Sequence, residues 1–271
     1  MRGNETGSAT GNEQDDDFLA RQRAHFAEAD SEHFAWQTSG PGFAAREAAF
    51  VREVLTGTGR PLLEIGCGEG ANLLHLLASE RTPATTATTA DTASARCVGV
   101  DAFARKLVFA SRVVPGARFA CADAGRLPFA DASFATVLIR DLLHHLPEPR
   151  TTIAEACRVL RPGGSFVLVE PNARNPLIRL QMTLVPAERG AARSDEAWLR
   201  ALLVDQPLEQ LTMRPAAPLP LDRVVLHHRF GLPRLGASRT VLRTLDMLES
   251  VAGRVLPRSR WSYVITHARR S

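Results

Sequence analysis

The segment Pro61–His75, PLLEIGCGEGANLLH, constrains the fold of this 271-residue chain more than any other stretch. An apolar run predicts a short strand over residues 61–65, and a second apolar run predicts a helix over residues 71–79. Three alternating glycines lie between them. A glycine loop between a strand and a helix lets backbone N–H groups approach a ligand closely. The segment matches both the dinucleotide pattern GxGxxG/A, with Ala71 last, and the pattern ExGxGxG, counted from Glu64.

The two glutamates of this segment favour one class of ligand over the other. Glu64 at the strand end and Glu69 in the loop would repel the two charges of a pyrophosphate. They suit a ligand that carries cations, such as S-adenosylmethionine with its sulfonium and ammonium groups. A tight turn that binds nothing is the structural alternative.

Further strands and helices alternate along the chain, which predicts a parallel sheet covered on both faces. Acidic residues end two of the predicted strands, Asp101 in CVGVD and Asp123 in FACADAG. Parallel sheets bind ligands at the carboxyl ends of their strands. Asp101 can therefore accept hydrogen bonds from ribose hydroxyls, or it can cap a helix. Asp123 can accept a hydrogen bond from an adenine amino group, to whose ring the Ala124 N–H can donate.

Together the motifs LEIGCGEG, VGVD, CADAGRLPFADASFATVLIRDLLHHL and RVLRPGGSFVLVEPN resemble class I S-adenosylmethionine-dependent methyltransferases, in particular the small-molecule group called type 11. The resemblance covers residues 43–172. It implies a doubly wound, Rossmann-like α/β fold with seven strands, mostly parallel with an antiparallel last strand, and helices on both faces. S-adenosylmethionine would be the cofactor. The residues expected to bind it are Glu64, Gly66, Gly68, Gly70, Asn72, Asp101, Ala102, Asp123, Ala124 and Arg140.

Candidate residues for the methyl acceptor lie near the ends of two strands and in the N-terminal segment. His144 and His145 follow the fourth predicted strand, and either could act as a general base. Packing or a contact at the cofactor edge is the alternative for both. Asp141 could contact the substrate or cap a helix, and Asn172 could border the substrate. Trp36 could belong to a lid over the ligand or pack on the sheet.

Composition and the positions of glycine and proline divide the chain into a short tail and one domain. Proline-rich turns and apolar runs predict a helical insertion that could cap the substrate, followed by a strand, a helix and a terminal strand. The expected parts are a disordered tail over 1–17, a single methyltransferase domain over 18–271, lid helices over 18–42, a Thr/Ala-rich surface insertion over 80–95, the helical insertion over 176–222, a strand over 223–229, a helix over 238–255 and a terminal strand over 261–268.

Several classes of protein are disfavoured by composition. No apolar run approaches the roughly 18 residues of a membrane span, and the N-terminus lacks the apolar region of a secretory signal. The 4 cysteines are far apart, with no CxxC pair and no clustered histidines, which favours a reduced cytoplasm over disulfides and predicts no metal site. Oligomeric state is left open.

The leading functional hypothesis is methyl transfer from S-adenosylmethionine to an O, C or N nucleophile of a small molecule. An NAD-dependent oxidoreductase is an alternative, disfavoured by the loop glutamates. An RNA-modifying methyltransferase that uses the arginine-rich C-terminal third is another. Nucleic acid is the less favoured partner, because those arginines alternate with apolar residues at helical spacing and aromatic residues make up only 6% of the chain. A catalytically silent binding module on the same fold is a third alternative.

Overall fold

The computed structural model describes residues 20, 22, 24–80 and 96–271. The expected tail over 1–17 lies outside the described residues, as does nearly all of the Thr/Ala-rich insertion. Among the described residues, no helix is long and apolar enough to cross a membrane.

A seven-stranded sheet forms the centre of the molecule, in the order β3-β2-β1-β4-β5-β7-β6. β7 runs antiparallel to both of its neighbours, whereas the first five strands pair in parallel. The predicted fold class is therefore confirmed. The strands are β1 Leu62–Ile65, β2 Cys97–Asp101, β3 Arg118–Cys121, β4 Phe134–Arg140, β5 Leu160–Pro171, β6 Leu208–Ala216 and β7 Tyr263–Arg270.

Helices and short 3-10 turns cover the sheet. The helices are α1 Ser31–Ser39, α2 Phe43–Val54, α3 Ala71–Glu80, α4 Ala104–Val113, α5 Pro149–Val159, α6 Pro176–Leu184, α7 Glu196–Leu203, α8 Leu221–Val225 and α9 Arg239–Val255. The 3-10 turns are Leu143–His145, Pro186–Arg193, Pro233–Ala237 and Arg258–Arg260.

The core consists of two apolar layers, one on each face of the sheet. Side chains alternate between the faces of a strand, so Leu63 and Ile65 of β1 belong to one layer, while Leu62 belongs to the other. All four residues of β1 are buried. Burial on both sides explains why the central strands are almost continuously apolar in sequence.

The strand register places the candidate residues at one edge of the sheet. Ile65 of β1 pairs with Val100 of β2 and with Ile139 of β4, and β4 pairs in parallel with β5. The carboxyl ends of these four strands therefore meet at the same edge. The glycine loop and the residues that follow β2, β4 and β5 begin there.

Two expectations for the C-terminal part were wrong. The expected insertion over 176–222 is helical over α6 and α7, but residues 208–216 form β6, and the expected strand over 223–229 is absent, since α8 begins at Leu221. Prolines obscured β6 in the sequence because they are typical of turns. An edge strand tolerates proline, since one side of it needs no ladder hydrogen bonds, and Pro215 lies in β6 at the edge of the sheet.

Candidate active site

The glycine loop after β1 adopts a backbone that favours glycine at three positions. Gly66, Gly68 and Gly70 have φ values of 76°, 52° and 82°, in the left-handed region where a Cβ atom is strained. A Cβ atom on Gly66 would lie 2.8 Å from Leu142 side-chain atoms. A Cβ atom on Gly68 would meet nothing nearer than the Lys106 Nζ at 3.9 Å. The backbone at Gly68 is therefore not crowded by neighbouring side chains.

Glu64 is a buried carboxylate with one unpartnered oxygen. Its side chain accepts a hydrogen bond from the Asn72 amide through Oε1 at 2.6 Å. Its Oε2 is buried and has no hydrogen-bond partner among the described residues. Burial raises the pKa of Glu64 to about 7, although the Asn72 hydrogen bond and the Arg140 charge oppose the shift. A cationic ligand group beside the loop would satisfy this oxygen.

A buried ionic network holds Asn72 in place. Arg140 donates to Asn72 Oδ1 at 2.8 Å and to Glu47 Oε2 at 2.8 Å. Arg223 donates to Glu47 Oε1 at 2.7 Å. Burial would raise the pKa of Glu47, but the two guanidinium groups outweigh it and lower the pKa to about 2. Arg140 therefore positions Asn72 beside Glu64 in addition to the direct effect of its charge. Sequence reasoning missed the other members of the network, Glu47 and Arg223.

Asp101 connects the second strand to the glycine loop. Its carboxylate accepts hydrogen bonds from the Gly68 N–H at 2.9 Å and from the Phe103 N–H at 3.0 Å. Burial raises the pKa of Asp101, and these hydrogen bonds oppose the shift. Ala102 follows at the exposed strand end. Asp101 thus shapes the loop, and its expected contact with a ribose stays a prediction.

Asp123 and Ala124 follow β3 at the same edge of the sheet. Asp123 is exposed and accepts a hydrogen bond from the Gly125 N–H through Oδ1 at 2.8 Å, which stabilises a tight turn. Ala124 is half-buried. The two residues lie where the adenine contact was expected, and that contact stays a prediction.

The N-terminal segment lies across the glycine loop through residues that sequence reasoning missed. The Asp30 N–H donates to Glu69 Oε1 at 2.9 Å, and Lys106 Nζ lies 3.3 Å from the same oxygen. The Phe26 ring packs edge-on against His145, with ring centroids 4.9 Å apart.

Trp36, the expected lid residue, is placed differently. It is buried and stacks on Phe43 of α2, with ring centroids 3.9 Å apart. His227 and His228 also pack against its ring. Trp36 therefore anchors α1 to the domain, whereas Asp30 reaches the loop through Glu69 and Phe26 packs on His145.

His144 is held between two carboxylates after β4. Its Nδ1 lies 2.7 Å from Glu170 Oε2, and its Nε2 lies 3.5 Å from Glu188 Oε2. Burial lowers the pKa of His144, but the two carboxylates outweigh it and raise the pKa to about 10. Both carboxylates stabilise a proton on His144 as long as no other cation lies beside it, which disfavours the expected role as a general base.

His145 has the opposite electrostatic environment. Burial and the charge on His144 lower its pKa to about 3. The imidazole is neutral at pH 7, but it binds a proton weakly. A general base works best with a pKa near the working pH, so the electrostatics also disfavour His145 in this role.

The remaining acceptor candidates, Asp141 and Asn172, have structural contacts. Asp141 has a φ of 51° and its Oδ2 lies 3.4 Å from Arg140 Nε. Asn172 donates to the Ser259 and Trp261 carbonyl oxygens at 3.0 Å and 2.8 Å. Asn172 thus ties the end of β5 to the turn before β7. Both remain predictions as substrate contacts.

Comparison with known proteins identifies the domain. Residues 63–168 match the family model described as a methyltransferase domain. The chain is 29% identical over 201 residues to a fatty-acid O-methyltransferase of Mycolicibacterium smegmatis, covering 73% of this chain and 56% of that protein. It is 36% identical over 110 residues to the 27-O-demethylrifamycin SV methyltransferase of Amycolatopsis mediterranei, covering 41% and 38%. This chain thus spans about half or less of the length of these curated relatives.

Solved structures share the fold. A Haemonchus contortus phosphoethanolamine N-methyltransferase 2, in complex with S-adenosylhomocysteine, superposes with a TM-score of 0.61 at 17% identity, covering 94% of this chain and 60% of that one. A geranyl diphosphate C-methyltransferase from Streptomyces coelicolor gives a TM-score of 0.52 at 17% identity, covering 84% and 80%. Residues 63–168 thus form a methyltransferase domain, and its relatives and structural neighbours indicate S-adenosylmethionine as the cofactor.

Proposed function

We propose that this methyltransferase transfers the methyl group of S-adenosylmethionine to an oxygen nucleophile of an apolar small molecule. The observation that carries the proposal is the buried, unpartnered Oε2 of Glu64 beside the open backbone of Gly68. That oxygen needs a cationic partner, and the ammonium group of the cofactor supplies one.

The remaining cofactor residues follow from the strand ends. Asp101 would accept hydrogen bonds from the ribose hydroxyls while it holds the Gly68 N–H. Asp123 and Ala124 would contact the adenine. The Asp30 link to Glu69 would close the N-terminal segment over the loop and exclude water. When bound, S-adenosylmethionine supplies a methyl carbon that an acceptor lone pair attacks as the carbon–sulfur bond breaks, leaving S-adenosylhomocysteine.

The cap segment, residues 176–193, supports an apolar acceptor. It comprises α6 and the following 3-10 turn, whose Glu188 approaches His144. Leu180 and Leu184 of α6 have exposed fractions of 52% and 71%. An apolar acceptor would cover such side chains and remove them from water. The names of the fatty-acid and rifamycin methyltransferases described above both specify an oxygen acceptor.

Thermal unfolding with added ligands tests the cofactor assignment. S-adenosylhomocysteine should raise the melting temperature of the wild-type protein, and Asp101→Ala should abolish the rise. Asp131→Ala is a matched control, because Asp131 pairs with Arg158 on the surface. Stabilisation by NAD(H) alone would refute the proposal, and salt-sensitive RNA binding would favour an RNA substrate.

Transfer of a radiolabelled methyl group tests the acceptor. Apolar compounds with a hydroxyl, a phenol, a carboxylate or an amine should be compared. Mild alkali releases the label from a methyl ester but not from an ether or a methylamine, so hydrolysis separates a carboxylate acceptor from a hydroxyl. Label in amines alone would contradict the oxygen acceptor.

A further inference from the structure

His144, His145 and Glu188 form a compact group of side chains that can coordinate metal ions. Each offers one ligand atom, and these three atoms lie within 4.8 Å of one another. The two histidines follow β4, and Glu188 comes from the cap segment. The group therefore lies where the cap meets the carboxyl edge of the sheet.

Glu170 orients His144 toward this group. Its Oε2 lies 2.7 Å from the His144 Nδ1, and its Oε1 accepts hydrogen bonds from the Leu142 and Leu143 N–H groups at 2.9 Å and 2.8 Å. The carboxylate is thus fixed from both sides. Metal-bound histidines in proteins usually donate their second ring nitrogen to a carboxylate in this way, which directs the free nitrogen to the ion.

Two ring nitrogens in the group are buried without a hydrogen bond. They are His144 Nε2 and His145 Nδ1, and neither has a hydrogen-bond partner in the described part of the chain. Only 1% of the His144 side chain is exposed. A buried polar atom is normally satisfied, so each such exception needs an explanation, of which a bound ion is one. Glu188 Oε2, at 3.5 Å from His144 Nε2, supplies a negative oxygen beside them.

We propose that His144, His145 and Glu188 bind a divalent transition-metal ion of the zinc class. Imidazole nitrogens and a carboxylate are ligands that this class of ion prefers. At tetrahedral zinc such atoms lie about 3.4 Å apart, so a pair of ligand atoms at the 4.8 Å limit must approach by about 1.4 Å. The Glu188 side chain is 20% exposed, whereas that of His144 is 1% exposed, so Glu188 is the less tightly packed of the two.

Three protein ligands leave one coordination position for water or an acceptor oxygen, as in catalytic zinc sites. An ion at this position would favour loss of the proton from a bound hydroxyl. That role rests on the proposed function, whereas metal binding itself does not. The competing explanation is a proton on His144 that Glu188 stabilises without any metal.

Titration of the metal-free protein with Co²⁺ tests the site, because cobalt coordinated by nitrogen and oxygen absorbs visible light. The wild-type protein should bind one Co²⁺ per chain with a saturable absorption, and Zn²⁺ should displace it. Glu188→Gln and His145→Ala should weaken binding at least tenfold. Glu170→Gln should weaken it about 10- to 100-fold, as loss of such an orienting carboxylate does elsewhere.

Glu196→Gln is the matched control, because Glu196 is an exposed glutamate that pairs with Arg200 on α7. It should bind Co²⁺ as the wild type does. Stabilisation by S-adenosylhomocysteine, measured on every variant, reports an intact fold. No saturable absorption from a wild-type protein that binds S-adenosylhomocysteine would overturn the metal site alone. Equal binding by Glu188→Gln and Glu196→Gln would overturn the ligand assignment, and metal binding without cofactor binding would refute only the proposed function.

Discussion

Replacing Glu64 with glutamine tests whether the buried Glu64 carboxylate destabilises the folded protein as long as no cationic ligand group is bound beside it. The glutamine side chain keeps an oxygen that can accept the Asn72 hydrogen bond, and it replaces the second, negatively charged oxygen with a neutral NH2 group. The Glu64 side chain is 1% exposed, so solvent does not screen the change. We expect the variant to be more stable than the wild type without ligand and to bind S-adenosylhomocysteine more weakly.

The pKa of Glu64 sets the size of the stability change. A rise from 4.5 to about 7 corresponds to about 3 kcal/mol at 1.36 kcal/mol per unit. Because the folded pKa lies above the unfolded one, the folded protein binds the extra proton between these values. Stability is therefore lost as pH rises from 4.5 to 7. Glutamine avoids this loss, so its advantage should be near zero at pH 4.5 and reach a few kcal/mol at pH 8.

Urea unfolding at pH 5 and pH 8 measures the stability difference, and calorimetric titration with S-adenosylhomocysteine measures the affinity. A hydrogen bond to a charged group contributes about 1.5 to 3 kcal/mol, so the affinity should fall about 10- to 150-fold. Glu53→Gln is the control, since this glutamate makes a surface ion pair with Arg214. A stability difference that is equal at both pH values, or unchanged affinity, would refute the reasoning.

Three further changes probe the rest of the site. Glu47→Gln should lower the free energy of unfolding, measured with urea at neutral pH, by about 3 to 5 kcal/mol, because it weakens a buried pairing with two arginines. Since the folded pKa of Glu47 is about 2, this stabilisation is lost as pH falls from 4.5 to 2. A decrease below 1 kcal/mol at neutral pH would contradict the prediction. Phe26→Ala should leave the melting temperature nearly unchanged but weaken the binding of S-adenosylhomocysteine several-fold, as measured by calorimetry. An affinity equal to that of the wild type would show that the N-terminal segment does not cover the ligand. Gly66→Ala should lower both the melting temperature and the ligand-induced shift, because its φ is 76° and its Cβ would crowd a leucine; wild-type values would contradict the strain.

The fold could be predicted because its signals are local. A short apolar strand, a glycine loop and a helix recur in order, and parallel strands with alternating helices permit few topologies. β6 escaped prediction because Pro207 before it and Pro215 within it are typical of turns, and only the position of β6 at the sheet edge makes Pro215 acceptable. That position depends on pairing with β7, more than 40 residues later in the chain.

The candidate site could be predicted only in part, because it also depends on contacts between residues that are far apart in the chain. Residues that follow strand ends, such as Asp101 and His144, are placed by the sheet and can be located from sequence. Their partners come from other elements. Glu47 lies on α2 and Glu188 in the cap segment, and no local pattern marks either one as a partner of a strand-end residue. The group around Glu188 therefore escaped a search for metal-ligand spacing.

These long-range partners divide the site into two halves with different requirements. The cofactor half contains Glu64, Asn72 and Asp101, which lie on or next to adjacent strands and are held by the buried pairing of Arg140 with Glu47. In the proposed acceptor half, Glu188 of the cap segment lies 3.5 Å from His144. Cofactor binding should therefore tolerate displacement of the cap, whereas acceptor binding should not. Variation in the cap can thus change the acceptor without altering the cofactor site.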